Sequence, residues 1–250
     1  MIFTIAAREL RSLFLSPLAW AILAVTLFIL AYLFLTQIET FIGLQPRLAA
    51  IKGAPGVADI IVAPLLADAA VVLLLITPLI TMRTISEERR NRTISLLFSA
   101  PVSMTEIVIG KYLGILSFFI ILLALLALMP LSLLAGTDLD LGKLAAGLLG
   151  LTLVVAAFSA IGLYMSSLTE QPTVAAVTTF GLLLLLWIID WAGTTEAAGS
   201  STLAQLSMLR HYEPLLKGLF NSADVAYYLL IILLFTGFTI RRMDASRLQH

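Results

Sequence analysis

The sequence predicts an all-α, polytopic membrane protein with six transmembrane helices, and three observations carry that prediction. Of 250 residues, 60% are hydrophobic and 12% charged, with a mean hydropathy of +1.06. A water-soluble domain carries about a quarter charged residues, so this chain has about half the usual supply of solvating groups. Six apolar runs approach or exceed the span of a hydrocarbon core, which takes about 20 residues of helix. They are 17–37, 60–82, 111–135, 143–168, 173–191 and 224–241. Finally, the basic residues between the runs fall unequally on the two sides.

Residues 1–16 read as an interfacial elbow helix. Phe3, Ala6, Ala7, Leu10, Leu13 and Phe14 share one face at helical spacing, while Thr4, Arg8, Arg11 and Ser12 share the other. Basic residues on a polar face suit anionic headgroups. Pro17 opens the first span. The run from Pro17 to Thr36 is longer than a signal-peptide core and ends without a small-x-small cleavage site, so it is expected to remain as a span. Residues 38–59, with Gly43, Pro46, Gly53, Pro55 and Gly56, read as an irregular outer loop.

The second run is interrupted by Pro64, Asp68 and Pro78. The uncharged stretch between Asp68 and Arg83 is too short to cross alone, so the helix must begin near Asp59 and carry Asp68 into the membrane. An intramembrane acid is costly and faces a partner or a cavity. Asp68 is therefore the candidate intramembrane polar site, with a carboxylate favoured by the helix dipole as the plainer reading.

The segment from Arg83 to Lys111 is the most informative. Thr84 and Glu87 have capping-box spacing, which predicts a helix over 84–98. Glu87 and Glu88 in its first turn, followed by Arg89, Arg90 and Arg92, suit the helix dipole. Ile94, Leu97 and Phe98 form an apolar patch before Ser99-Ala100-Pro101 breaks the helix. Ser103 and Glu106 repeat the capping-box spacing and start the third span. Beyond the fifth span, residues 193–223 read as two short amphipathic helices broken at Pro214, dipping into the outer leaflet before Asn221-Ser222 caps the sixth span.

Six spans put both termini on one side. That side carries ten basic residues in the N-terminal segment, the 83–111 loop and the tail, against five on the other. The positive-inside rule makes the richer side cytoplasmic.

The chain offers no chemistry of its own. It has no cysteine, zero formal net charge and no phosphate-loop motif; Gly110-Lys111 lacks the upstream glycine. His211 and His250 lack metal-ligand spacing, and no serine or threonine has a neighbouring histidine. No metal, no cofactor and no nucleic-acid partner are expected. Gly110 and Gly114 form a GxxxG, and Ala156/Ala160 and Gly162/Ser166 give the fourth span further small positions for close packing. Pro78, Pro130 and Pro172 are candidate hinges.

The run from Glu87 to Ser103 (EERRNRTISLLFSAPVS), continuing through Glu106-Ile107-Val108 to Gly110-Lys111, resembles the coupling segment of ABC-2 type transporter permeases. That pattern has an acidic-basic cluster, Gly-Thr, an acid, a leucine pair, Pro-x-Ser and Gly-Lys. Here Arg92 replaces the glycine and Ser95 the acid. Ser166–Glu170 through Phe180-Gly181 to Trp187, and His211–Glu213 through Gly218 to Asp224–Tyr228, resemble the gliding-motility-type branch. The resemblance implies a permease subunit in a bacterial cytoplasmic (inner) membrane, with both termini cytoplasmic. It would pair with a second permease copy or a homologous one, and dock on a separate ABC ATPase that binds the ATP. Further auxiliary membrane or periplasmic proteins would be compatible with it. The implied ATPase-coupling residues are Glu87, Glu88, Arg89, Arg90, Thr93 and Leu97. A stand-alone secondary transporter or a membrane scaffold are the competing readings; the first needs an inverted repeat or more buried ion-pairing residues, and the sequence displays neither.

Overall fold

The structure is a computed structural model that describes residues 1–48, 55–91, 102–193 and 205–247, and its regular elements are all helical. Helix α1 (Ile2–Leu15) is divided from α2 (Pro17–Leu48) by Ser16, whose backbone is extended at φ −80° and ψ 127°. Proline excludes its predecessor from helical geometry, so Pro17 ends one helix and starts the next. The first span does not stop at residue 37. Neither Gly43 nor Pro46 stops α2, which runs on to Leu48 as Ile38 and Phe41 pack back onto the core. The outer loop expected from residue 38 thus begins as helix.

A wide π-helical turn, Ala58–Val62, leads into α3 (Ala63–Thr81), with a proline at its start and Pro78 in its last turn. A tight turn then joins α4 (Ser86–Arg90). The remainder of the segment expected to be helical over 84–98, with Thr93 and Leu97, lies outside the described residues. Helix α5 (Met104–Ser132) starts earlier than the apolar run because its capping box forms. Ser103 Oγ accepts the Glu106 N–H at 3.2 Å, and Glu106 Oε2 accepts the Ser103 N–H at 3.2 Å. Helix α6 (Leu141–Leu168) is capped by Asp140, whose carboxylate accepts the N–H groups of Gly142 and Lys143. Helices α7 (Pro172–Gly193), α8 (Met208–Leu216) and α9 (Ser222–Arg247) follow among the described residues. Pro172 opens α7 and Pro130 lies in the last turns of α5.

Among the described residues, six helical stretches are long and apolar enough to cross a membrane: α2, the joined stretch Ala58–Arg90, α5, α6, α7 and α9. Within the chain, 67% of the apolar window of α6 is buried, against 17% for α7 and for α9. Helix α6 is therefore central, touching α3, α5, α7, α8 and α9. Gly162 on α6 admits the side chain of Thr81 from α3. Around the outside, Trp20, Phe28, Val177, Leu185 and Leu233 stand exposed. A bare apolar perimeter of this kind is at rest only in lipid.

Candidate functional site

One end of the bundle gathers α1, residues 82–91, the start of α5, and the ends of α6 and α9; we call it the terminal face. Helix α1 lies along α5 on a seat made by two glycines. A Cβ on Gly110 would come 2.7 Å from Ile5 Cβ, and one on Gly114 would come 2.6 Å from Glu9 Cβ. Carbon atoms rest about 3.5–4.0 Å apart, so this approach needs hydrogen at both positions. The inward face of α1 keeps Ala6, Leu10, Leu13 and Phe14 of the expected stripe and adds Ile5 and Glu9 against α5, while Phe3, 84% exposed, and Ala7 turn outward.

Next to Gly110, the side chain of Lys111 is only 1% exposed. Its ammonium donates to Glu88 Oε1 at 2.7 Å, the Thr84 carbonyl at 2.9 Å and Glu9 Oε2 at 3.4 Å. An ammonium has three N–H bonds, and each here finds an acceptor on a different segment. That full complement is what makes a buried charge tolerable. Arg8 approaches Glu88 at 3.8 Å, but with 61% of its side chain exposed it adds little.

The capping box expected from Thr84 and Glu87 does not form, because the chain turns there first: the Thr84 N–H donates to the Thr81 carbonyl at 3.2 Å and the Glu87 N–H to the Arg83 carbonyl at 3.4 Å. Helix α4 begins at Ser86, and Ser166 Oγ on α6 accepts the N–H groups of Ile85 and Ser86, both at 3.1 Å. The same hydroxyl donates to the Met82 carbonyl at 3.1 Å. A helix start this short has orphan donors that need partners, and α6 supplies one.

The four charged residues expected to face outward divide in two. Glu88 turns in to Lys111, and Arg89 turns in to the end of α9, where Nη2 donates to Ser246 Oγ at 3.4 Å. Glu87 and Arg90 remain exposed. They border two hollows on either side of α4. One, of about 470 Å³, lies toward α1 and is lined by Arg8, Ser12, Arg83, Glu87 and Asn91 among others. The other, of about 510 Å³, lies toward the α6–α7 turn and is lined by Arg83, Glu87, Arg90, Gln171 and Pro172 among others.

Sequence reasoning missed Lys111, Glu9 and Ser166. The signal for Lys111 was present: a lysine inside a helix bound for the membrane needs a carboxylate partner, and Glu9 and Glu88 were among the acids on its side.

Asp68 lies roughly 15 Å along the helical stretch from Ala58, at 1.5 Å per residue. It is half-buried and accepts a hydrogen bond from Gln37 Nε2 at 3.0 Å, which links α2 to α3. Gln37 Oε1 is buried with no partner.

The far face is closed by α8. The expected break at Pro214 is absent: α8 runs through it to Leu216 and ends in a Schellman turn at Gly218, whose φ is +78°. The Leu219 N–H donates to the Pro214 carbonyl at 2.9 Å and the Gly218 N–H to the Leu215 carbonyl at 3.1 Å. The helix is seated on protein, with Met208, Tyr212 and Leu215 fully buried. Tyr212 donates to the Leu66 carbonyl at 2.9 Å, and burial pushes its phenol well above the usual range, so it stays a donor. His211 stacks on Tyr227 and lies 2.6 Å from Asp224 Oδ1. Lys143 and Asp59 pair at 2.7 Å, joining α6 to the π-helical turn.

Six apolar spans, an elbow helix seated on the third and a short charged helix under the second define a multi-pass transport-type membrane domain. The model of the ABC-2 family transporter proteins matches residues 51–209, well over half the chain, and the chain belongs to that family. It is thus a transmembrane subunit of an ABC transporter, distinct from the ATPase. No curated protein matches it significantly.

Proposed function

We propose that this chain is the permease half of an ATP-driven exporter in a bacterial cytoplasmic membrane, with the terminal face cytoplasmic. A separate ABC ATPase docks around α4 and binds all the ATP, and a second copy or a homologous permease completes the substrate path. Within the family, the stretches around Ser166–Trp187 and His211–Tyr228 favour the gliding-motility-type branch. The observation that carries the reading is α4 itself. It presents Glu87 and Arg90 outward between two hollows, while Glu88 and Arg89 join it to α1, α5 and α9. A permease that binds no nucleotide receives its work mechanically, and a surface helix anchored to several spans can deliver it. Glu87, Arg90, Thr93 and Leu97 then form the docking set, with Glu88 and Arg89 behind them. Asp68 with Gln37 is the polar point a substrate or ion would meet inside the membrane.

The test is co-purification. The wild-type chain should retain an ATPase and show vanadate-sensitive ATP hydrolysis. Glu87→Lys/Arg90→Glu should lose both while the chain stays folded. A chain that conducts substrate alone, without nucleotide, would make it a secondary transporter, and one that holds a complex with no flux would make it a scaffold.

A further inference from the structure

We infer that Lys111 is the positioning residue that makes α1 and α4 move as one body with the third span; this rests on the reading of α4 as the ATPase-facing helix. Each helix has its own anchor. Helix α1 is seated on Gly110 and Gly114, and the start of α4 hangs from Ser166. Those anchors lie on different spans, α5 and α6, and neither links the two helices to each other. The ammonium of Lys111 does so, with Glu9 of α1 at 3.4 Å, Glu88 of α4 at 2.7 Å and the Thr84 carbonyl at 2.9 Å. Its burial sharpens the effect. Without the cation, the Glu9 and Glu88 carboxylates, 14% and 23% exposed in the wall of the hollow beside α1, lose the positive charge that lies between them. Loss of Lys111 therefore loosens α1 from α4 while leaving each on its own anchor, since the exposed Arg8 near Glu88 is a weak substitute. A push on α4 would then stop at α4 and no longer reach the elbow.

The absence of cysteine makes this directly measurable. Spin labels at Arg11→Cys and Asn91→Cys, both exposed positions, report the α1–α4 separation by double electron–electron resonance. The measurement uses the full chain in nanodiscs of phosphatidylethanolamine and phosphatidylglycerol. The wild type should give one narrow distance distribution. Lys111→Met should shift and broaden it, and Lys111→Arg should restore it. A second label pair at Asp138→Cys and Glu213→Cys on the far face should not change. If Lys111→Met disturbs that pair too, Glu88→Gln is read in its place, since it weakens the same contact and keeps the cation. An unchanged α1–α4 distribution in whichever variant is folded overturns the proposal. This arm needs no ATPase, so it stands apart from the docking reading. In the ATPase complex, ATP with vanadate should move the far-face pair in the wild type and not in Lys111→Met, with the ATPase still bound. Equal movement in both also overturns it.

Discussion

The glycine seat of α1 can be tested by the smallest substitution available, Gly110→Ala/Gly114→Ala. Each new methyl would lie 2.6–2.7 Å from a side-chain carbon of α1, with an α1 carbonyl 3.1 Å away at each site. Carbon pairs rest at about 3.5–4.0 Å, so α1 has to lift by about 1 Å. Overpacking of this kind costs about 1–3 kcal/mol. The two sites share one interface, so a single lift relieves both and the costs do not add. A loss of that size favours the detached state of α1 by about 5–150-fold. The same lift carries Glu9, already at 3.4 Å, beyond hydrogen-bonding reach of Lys111. Limited trypsin cleavage at Arg8 and Arg11, followed by mass spectrometry, reads the detached population, because a helix is cut only when it opens. Gly181→Ala and Gly237→Ala serve as controls, since a Cβ at either meets nothing within 4 Å. Cleavage of the double variant at the control rate would refute the close approach of α1 to α5.

Ser166→Ala should cost about 1–3 kcal/mol, because two buried N–H groups lose their acceptor, whereas Ser167→Ala, which loses only a bond to its own helix, should be near neutral in detergent thermal melts. Gly218→Ala should cost about 1–2 kcal/mol from its left-handed backbone and should also disturb Lys143, 2.8 Å from the new methyl. Tyr212→Phe should lower stability by about 1 kcal/mol through loss of the bond to Leu66 and leave ATPase co-purification intact. Glu87→Lys/Arg90→Glu should do the reverse, sparing the melt and abolishing co-purification.

The spans were legible because a hydrocarbon solvent permits few alternatives: about 20 apolar residues in a row have to be helix. Their ends were less so. Helix α2 overran its expected end because the packing of Ile38 and Phe41 outweighs the local cost of Gly43, and hydropathy reports solvent, not helix length. Ser103 and Glu106 were readable since a capping box is local. Thr84 and Glu87 have the same spacing and failed, because a backbone turn took their donors and Ser166, distant in sequence, fixed the helix start two residues later at Ile85 and Ser86. The inward turn of Glu88 and Arg89 depended likewise on partners 23 and 157 positions away. The GxxxG at Gly110 was visible, yet its occupant was not: small residues announce that something comes close, and only the fold names it.

Helix α6 joins the two ends of the molecule in a way that constrains any motion. Its 28 residues make a strut about 42 Å long, with no proline from Leu141 to Leu168 at which to bend. Ser166 near one tip holds the start of α4, while Lys143, Gly147 and Gly150 near the other hold the π-helical turn, α3 and α8. A displacement imposed at the first tip has no soft joint in which to dissipate, so it re-emerges at the second. Events beneath one headgroup layer are thereby felt across the full thickness of the bilayer.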